Sequence, residues 1–339
     1  MTDITGIRLR EEAAPDEERT PLVPDDAARL IAAGIPVTVE ESARRIFPIA
    51  EYAAAGCRVV PGGSWHEAPA SEAILGLKEP ERSAGSLMHR HIFFGHAYKG
   101  QVEGRTTLRR FAEGGGTLLD LEYLTDEDGR RLAAFGYWAG YVGAALAVLN
   151  HSGRLTAPLS ALGRHELDTM LHGSGSEARA VVIGALGRSG RGARDALTAA
   201  GAAVTEWDLD ETRRLDREAL LGHDILVNAV LCTEPGTPFL TDADLRRTDR
   251  ALSVVSDVTC DVTSACHRLP VYDRITEWAE PVRRLHADPV LDLIAIDNLP
   301  SLLPRESSTD FSRDLTPHLL TLPGGSEVWD RCEKYFRNS

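Results

Sequence analysis

Lysine is nearly absent from this chain: Lys78, Lys99 and Lys334 are the only three in 339 residues, and arginine supplies the rest of the 37 basic side chains. Lysine can shed its proton near neutral pH and arginine cannot, so a position kept as lysine here is a candidate for acid–base work. Positive charge is scarce overall. The 37 cations face 51 carboxylates, giving a formal charge of −14, which argues against nucleic acid or an anionic membrane as a partner. Cysteine is sparse too. Cys57, Cys232, Cys260, Cys266 and Cys332 are odd in number and none is spaced for a metal, so reduced thiols in a cytoplasmic protein and no metal are expected. No basic segment followed by an apolar stretch opens the sequence, and no signal peptide is expected. Long apolar runs are also missing, with one exception. Leu132 to Leu149 carries no charge over 18 residues, the lower edge of a membrane span. It is rich in Gly and Ala and reads instead as a long helix buried between domains.

What is present alternates between strand and helix patterns. Strands are expected at Gly6–Leu9, Val37–Glu40, Ala73–Lys78, His91–His96 and Thr117–Glu122, and helices at Pro24–Ala33, Ile49–Ala55 and Val102–Glu113. Proline near a first turn and glycine after the last mark several of these helices. Repeated β-α-β order predicts a parallel sheet with helices on both faces. A Gly/Ser/Thr-rich stretch from His151 to Glu177 predicts a loop with a short helix, and a second α/β block begins at Ala178.

That second block opens with an apolar strand, Ala180 to Gly184, a turn with glycines at 184, 187 and 190, and an Ala-rich helix to Ala200. Strand, glycine turn and helix together are the context a dinucleotide requires. Gly184 permits the tight turn, Gly187 lets backbone approach the pyrophosphate, and Gly190 allows close helix–strand packing, with the helix N-terminus facing the phosphates. The next strand, Ala203–Trp207, ends in Asp208, an acidic group suited to ribose hydroxyls and hostile to a 2′-phosphate, which predicts NAD as cofactor. Further strands are expected at Ile225–Val230 and Leu252–Val258, the latter followed by the polar segment Asp257–Asp261.

The candidate chemistry lies in the first block. Lys78, in G-L-K-E-P, and His96, in F-F-G-H-A-Y-K, end successive strands and would project at one edge of the sheet. The two could divide proton transfer between them, with Glu79 and Glu122 nearby to adjust their charge state. Arg19 and Arg131 are candidates for bidentate carboxylate binding.

These residues lie in a series of segments that spans nearly the whole chain: L-R-E-E at Arg10, E-E-R-T-P-L-V-P, G-S-W at Gly63, G-L-K-E-P, H-I-F-F-G-H-A-Y-K-G-Q, D-L-E-Y-L, G-R-R-L-A-A-F-G-Y-W-A-G, I-G-A-L-G-R-S-G, W-D-L-D-E-T and I-D-N-L-P-S-L-L-P-R-E-S-S. The series resembles the NAD-dependent, lysine-forming saccharopine dehydrogenases, within the alanine dehydrogenase and transhydrogenase superfamily. The resemblance implies an α/β fold of two Rossmann-like domains, each a parallel sheet flanked by helices, with the active site in the inter-domain cleft. Residues 1–134 and 306–339 would form the substrate domain and 135–305 the NAD-binding domain. It implies Lys78 as proton acceptor and His96 as proton donor. Arg19, Gln101, Arg131, Phe135, Thr259, Cys260 and Asp261 would contact an amino-acid substrate, with Glu79 and Glu122 beside them. Arg130, Gly184, Gly187, Arg188, Gly190, Asp208, Thr212, Leu231, Val258, Ile296, Asp297, Asn298 and Leu299 would line the NAD site. The expected partners are small molecules alone, an amino acid and a 2-oxo acid.

The chain departs from the fungal pattern in places. Ser189 and Ala229 stand where fungal members carry a cysteine pair, Ala14 replaces a lysine, Asn298 a histidine and Leu231 an aromatic residue. A specialised-metabolism relative acting on another lysine-derived opine or an N–N-linked lysine conjugate, an alanine-dehydrogenase-like enzyme and a non-catalytic NAD-binding protein are the alternative readings.

Overall fold

A computed structural model describes residues 4–98, 102–232 and 234–339. The chain divides into two units, Met1–Ala134 with Pro304–Ser339, and Phe135–Leu303. In chain order the first unit contributes β1 (Gly6–Leu9), α1 (Pro24–Ala32), β2 (Val37–Glu40), α2 (Ile49–Ala54), β3 (Arg58–Val60), β4 (Glu72–Leu75), β5 (Arg90–Phe93), α3 (Val102–Gly114) and β6 (Thr117–Asp120). The second unit follows with α4 (Gly136–His151), α5 (Arg164–Leu171), β7 (Arg179–Ile183), α6 (Arg188–Ala200), β8 (Ala203–Trp207), α7 (Leu209–Arg213), α8 (Arg217–Leu221), β9 (Ile225–Asn228), α9 (Asp242–Leu245), β10 (Val254–Asp257), β11 (Arg283–Ala287) and β12 (Val290–Ile294). Helices α10 (Pro304–Leu319) and α11 (Glu327–Arg337) then return to the first unit.

The first sheet has six parallel strands in the order β3-β2-β1-β4-β5-β6. Strand order reverses between β1 and β4, and in such sheets ligands gather at the carboxyl ends beside the reversal. Those ends lead into Arg10–Glu12 and Gly76–Lys78. An arginine in the central strand is tolerated because Arg8, 5% exposed, pairs with Glu72 at 2.8 Å.

The second sheet runs β11-β12-β10-β9-β7-β8, parallel except for β11. Alternate residues of β7 supply its two faces. Ala180 and Val182 join a core with α4 and α6, while Val181 and Ile183 join one with Trp207 and Leu226. This is period-two patterning on a sheet covered on both faces.

Several strands end sooner than the sequence suggested. β4 stops at Leu75, β5 at Phe93, β6 at Asp120 and β9 at Asn228. A last rung still joins the neighbours, from the Gly76 N–H to Ile92 and from the Phe94 N–H to Leu77, each at 3.0 Å, before the chain turns off the sheet, so Lys78 and His96 each lie three residues past a strand rather than in it. The uncharged run at Leu132–Leu149 is also corrected. Its helix starts at Gly136 and belongs to the second unit, packed on α6 and the sheet. Its glycines are explained by that packing: a Cβ on Gly140 would stand 1.7 Å from the Ser189 carbonyl oxygen, and one on Gly192 of α6 would stand 1.9 Å from that of Tyr137. Among the described residues no helix is long and apolar enough to cross a membrane.

Candidate functional site

Lys78 is presented by a turn gripped on both sides of its peptide. Glu12, beyond the end of β1, accepts the Leu77 N–H at 2.6 Å and the Lys78 N–H at 3.1 Å. The Arg10 guanidinium donates to the Lys78 carbonyl and lies 3.4 Å from Glu12. Gly76 is required here, since a Cβ would stand 2.6 Å from that guanidinium. The backbone is thereby fixed while the Lys78 side chain stays half-buried.

His96 lies on the next loop of the same edge, because β4 and β5 are parallel neighbours. Its Nδ1 is 3.0 Å from Glu122 Oε2. A carboxylate only accepts, so the imidazole donates through Nδ1–H and its Nε2 is the nitrogen left to take or give a proton. His96 has φ = 47°, and Cys260, at 52°, is the other described non-glycine residue in the left-handed region. Strained backbone of this kind gathers at working sites. Phe94 stacks on the His96 ring at 6.3 Å.

The remaining candidates divide. Arg19 is buried and Glu17 engages it bidentately, at 2.7 and 2.6 Å. Arg130 and Arg131 follow Asp126, which accepts the Arg130 N–H at 2.7 Å, and both side chains are exposed. Glu79, next to Lys78 in sequence, accepts from Arg110 at 2.9 Å and Thr107 at 2.7 Å. Gln101 lies outside the described residues. Phe135, half-buried, caps α4 at the start of the second unit.

In the second unit Thr259, Cys260 and Asp261 follow β10. Asp257, fully buried, holds that turn by accepting the Thr259 N–H at 3.0 Å, its hydroxyl at 2.7 Å, Asn228 at 3.0 Å and Tyr272 at 2.7 Å. Burial, with the charges of Asp257 and Asp297, pushes the Cys260 thiol well up, which disfavours a thiolate.

The glycine turn after β7 has the shape the sequence predicted. Gly184 has φ = 84°. Gly190 packs so tightly that a Cβ would stand 2.0 Å from the Gly184 oxygen, whereas a Cβ on Gly187 would meet only that oxygen at 3.3 Å. Gly187 is exposed and caps the N-terminus of α6, whose 13 residues open with the half-buried Arg188. Asp208 reaches back to accept the Leu186 N–H at 3.1 Å, and Thr212 donates to the Asp208 carbonyl at 2.8 Å. A glycine-lined approach, a helix N-terminus and a strand-end carboxylate fit the phosphates and a ribose of a dinucleotide. Leu231 and Asp297 are exposed and Val258 is half-buried, while Asn298 accepts from Trp278 at 3.2 Å. Ile296 and Leu299, expected to line that site, are each 1% exposed and belong to the core with α4. Apolar side chains go inward there, leaving their backbone and the exposed Asp297 side chain for a ligand.

Three residues in the quoted motifs had no assigned role. Glu12, Glu17 and Asp120 each hold a candidate from behind; Glu17 and Asp120 lie two residues from Arg19 and Glu122, a signal the sequence offered, whereas Glu12 is 66 positions from Lys78 and only the fold brings it there.

The family model for the alanine dehydrogenase/PNT N-terminal domain matches residues 8–142. Saccharopine dehydrogenase (NAD(+), L-lysine-forming) of Neurospora crassa is 42% identical over 355 residues, covering 98% of this chain and 95% of that protein. The enzyme of the same name from Candida glabrata is 39% identical over 356 residues, covering 97% and 95%. Among solved structures, an L-alanine dehydrogenase superposes with a TM-score of 0.70 at 15% identity, covering 98% of this chain and 94% of that one. With identity of that level along nearly the full length of both chains, the protein belongs to the family of saccharopine dehydrogenases.

Proposed function

We propose that the chain is an NAD-dependent oxidoreductase of the CH–NH type, cleaving the secondary amine of saccharopine to lysine and 2-oxoglutarate, or joining them in reverse. The observation that carries this reading is the 42% identity to an enzyme named for that reaction, aligned over 98% of the chain. The unit Met1–Ala134 with Pro304–Ser339 takes the substrate role and Phe135–Leu303 the dinucleotide role. The chain works in the cytoplasm.

NAD fits the turn at Gly184–Gly190, where Gly187 leaves the backbone open to approach and Asp208 stands at the strand end. When bound, it supplies the acceptor for the hydride lost from the α-carbon of the glutamate half. Lys78 Nζ takes the proton of the secondary amine, so that the nitrogen and α-carbon become doubly bonded. His96 Nε2 relays both protons of the water that adds to this carbon to the departing amine nitrogen, the first as the water adds and the second as the resulting hydroxyl becomes the carbonyl and the C–N bond breaks. Glu122 keeps the imidazole in the tautomer that makes this possible. Arg19, Arg131 and Gln101, with Phe135 and the Thr259–Asp261 turn, hold the substrate, and the two arginines take its carboxylates.

The test is NADH oxidation by the purified protein over a panel of amines and 2-oxo acids. Turnover is expected with lysine and 2-oxoglutarate. Silence with that pair, or preference for ammonia and pyruvate, overturns the reading.

A further inference from the structure

We infer that Asp120, at the carboxyl end of β6, is a positioning residue that sets His96 and its partner in register for proton transfer. The inference rests on the acid–base role proposed for His96. Asp120 is fully buried, and its Oδ1 accepts two backbone N–H groups, from Gly95 at 3.1 Å and from Glu122 at 2.9 Å. Gly95 immediately precedes His96, and Glu122 is the residue whose carboxylate receives His96 Nδ1 at 3.0 Å. One oxygen atom thus ties together the two loops that carry the imidazole and its acceptor.

Three further features suit this task. His96 is held at φ = 47°, a conformation an L-residue keeps only where its surroundings impose it. Gly95 has no room for a side chain: a Cβ would stand 2.7 Å from Leu118 and 3.1 Å from Asp120 Oδ2, so the missing side chain is what lets the backbone rest on the carboxylate. The Asp120 main chain is fixed from behind by the Cys332 thiol, which donates to its carbonyl at 3.3 Å. Among the described residues Asp120 Oδ2 has no hydrogen-bond partner, and burial raises the carboxyl above its ordinary range against the pull of the two N–H groups and His96. A buried carboxylate with one oxygen unsatisfied weakens a fold. Asparagine would offer the same Oδ1 acceptor without that charge.

The test is a double-mutant cycle on kcat with Asp120→Ala, Asp120→Asn and His96→Ala. Asp120→Ala is expected to lower kcat about tenfold or more, part of the range a general acid contributes, with KM changing much less. Asp120→Asn, which keeps the Oδ1 acceptor, is expected to recover kcat to within about threefold of the parent. In the His96→Ala background, Asp120→Ala is expected to have no further effect, because residues that act as one unit are not additive. Equal losses in both backgrounds, or an unaffected kcat, overturn the inference. Should the alanine variant not fold, Asp120→Ser replaces it in the cycle.

A second arm needs no turnover. In 15N-histidine spectra, the signals of His96 are identified by their loss in His96→Ala. The Nδ1-protonated tautomer is expected in the parent and a mixed population in Asp120→Ala. An unchanged tautomer overturns the positioning role even where the amine panel is silent, and silence of the parent alone counts against the proposed reaction instead.

Discussion

Lys78 separates two properties that arginine would merge, charge and the capacity to accept a proton. Its turn is held through the peptide by Glu12 and Arg10, so changes to the side chain leave that scaffold in place. Lys78→Met and Lys78→Arg are both expected to lower kcat by roughly 10²-fold or more, the general-base range, with NADH affinity unchanged by fluorescence titration. An arginine variant that retains turnover would mean the group acts by charge alone. His91 shows the opposite use of a titratable side chain. It is fully buried, packed edge-on to Trp65 at 5.2 Å and Phe111 at 5.5 Å, and among the described residues neither ring nitrogen has a hydrogen-bond partner. Burial, reinforced by Arg10, His89 and Arg110, drives its pKa well below the ordinary 6.5. The folded state therefore refuses a proton that the unfolded chain binds below pH 6.5, and stability must fall as pH drops through that value. The slope from this group is about 1.4 kcal/mol per pH unit until the folded pKa is reached. Urea midpoints measured from pH 7.5 to pH 5 should decline in the parent and decline less in His91→Phe. Parallel curves would show that other groups set the dependence.

The pair α4 and α6 shows how far packing and binding can be told apart within one motif. Gly190 is occupied by its own fold, with the Gly184 oxygen 2.0 Å from where a Cβ would go, while Gly187 has only a 3.3 Å neighbour and faces solvent. Gly190→Ala should therefore destabilise the protein by about 1–3 kcal/mol, the usual cost of overpacking, and weaken NADH binding with it. Gly187→Ala should leave the melting temperature within about 2 °C of the parent, since a shift of that size corresponds to well under 1 kcal/mol, and still weaken NADH, because its methyl group stands where phosphate approaches. Equal loss of stability in both variants would sink this division. The glycine turn was readable in the sequence because strand, turn and helix are local. The same holds for β1, β2, β4, β5 and β6 and for Asp208 at the end of β8. What the sequence hid is what depends on partners elsewhere. β3 is an exposed three-residue edge, and the β11–β12 pair carries Arg284 and Asp292 rather than a clean apolar alternation. Ile296 and Leu299 lie in a motif that reads as ligand-lining, yet the direction of each side chain is set by α4, more than 140 positions earlier.

The chain leaves its first unit at Ala134 and returns at Pro304, so that unit is complete only when distant sequence arrives. The joint is made by two buried serines of α10. Ser308 Oγ accepts the Thr20 N–H at 2.9 Å, and Ser312 Oγ accepts the Val23 N–H at 3.0 Å and donates to Asp26 at 2.7 Å. These hydroxyls satisfy the backbone on either side of Leu22, just ahead of α1, where no strand or helix partner exists. Replacing both by alanine leaves two N–H groups and a carboxylate oxygen buried without partners, at about 1–3 kcal/mol for each group exposed to that loss. The position of the damage is as informative as its size. Hydrogen exchange read by mass spectrometry should show lost protection in β1, β4 and β5 of Ser308→Ala/Ser312→Ala, with β7, β9 and β10 as slow as in the parent, because separate cores can open separately. Uniform loss across both sheets would mean that the two units unfold as one, and that α10 stabilises the chain rather than closing its first sheet.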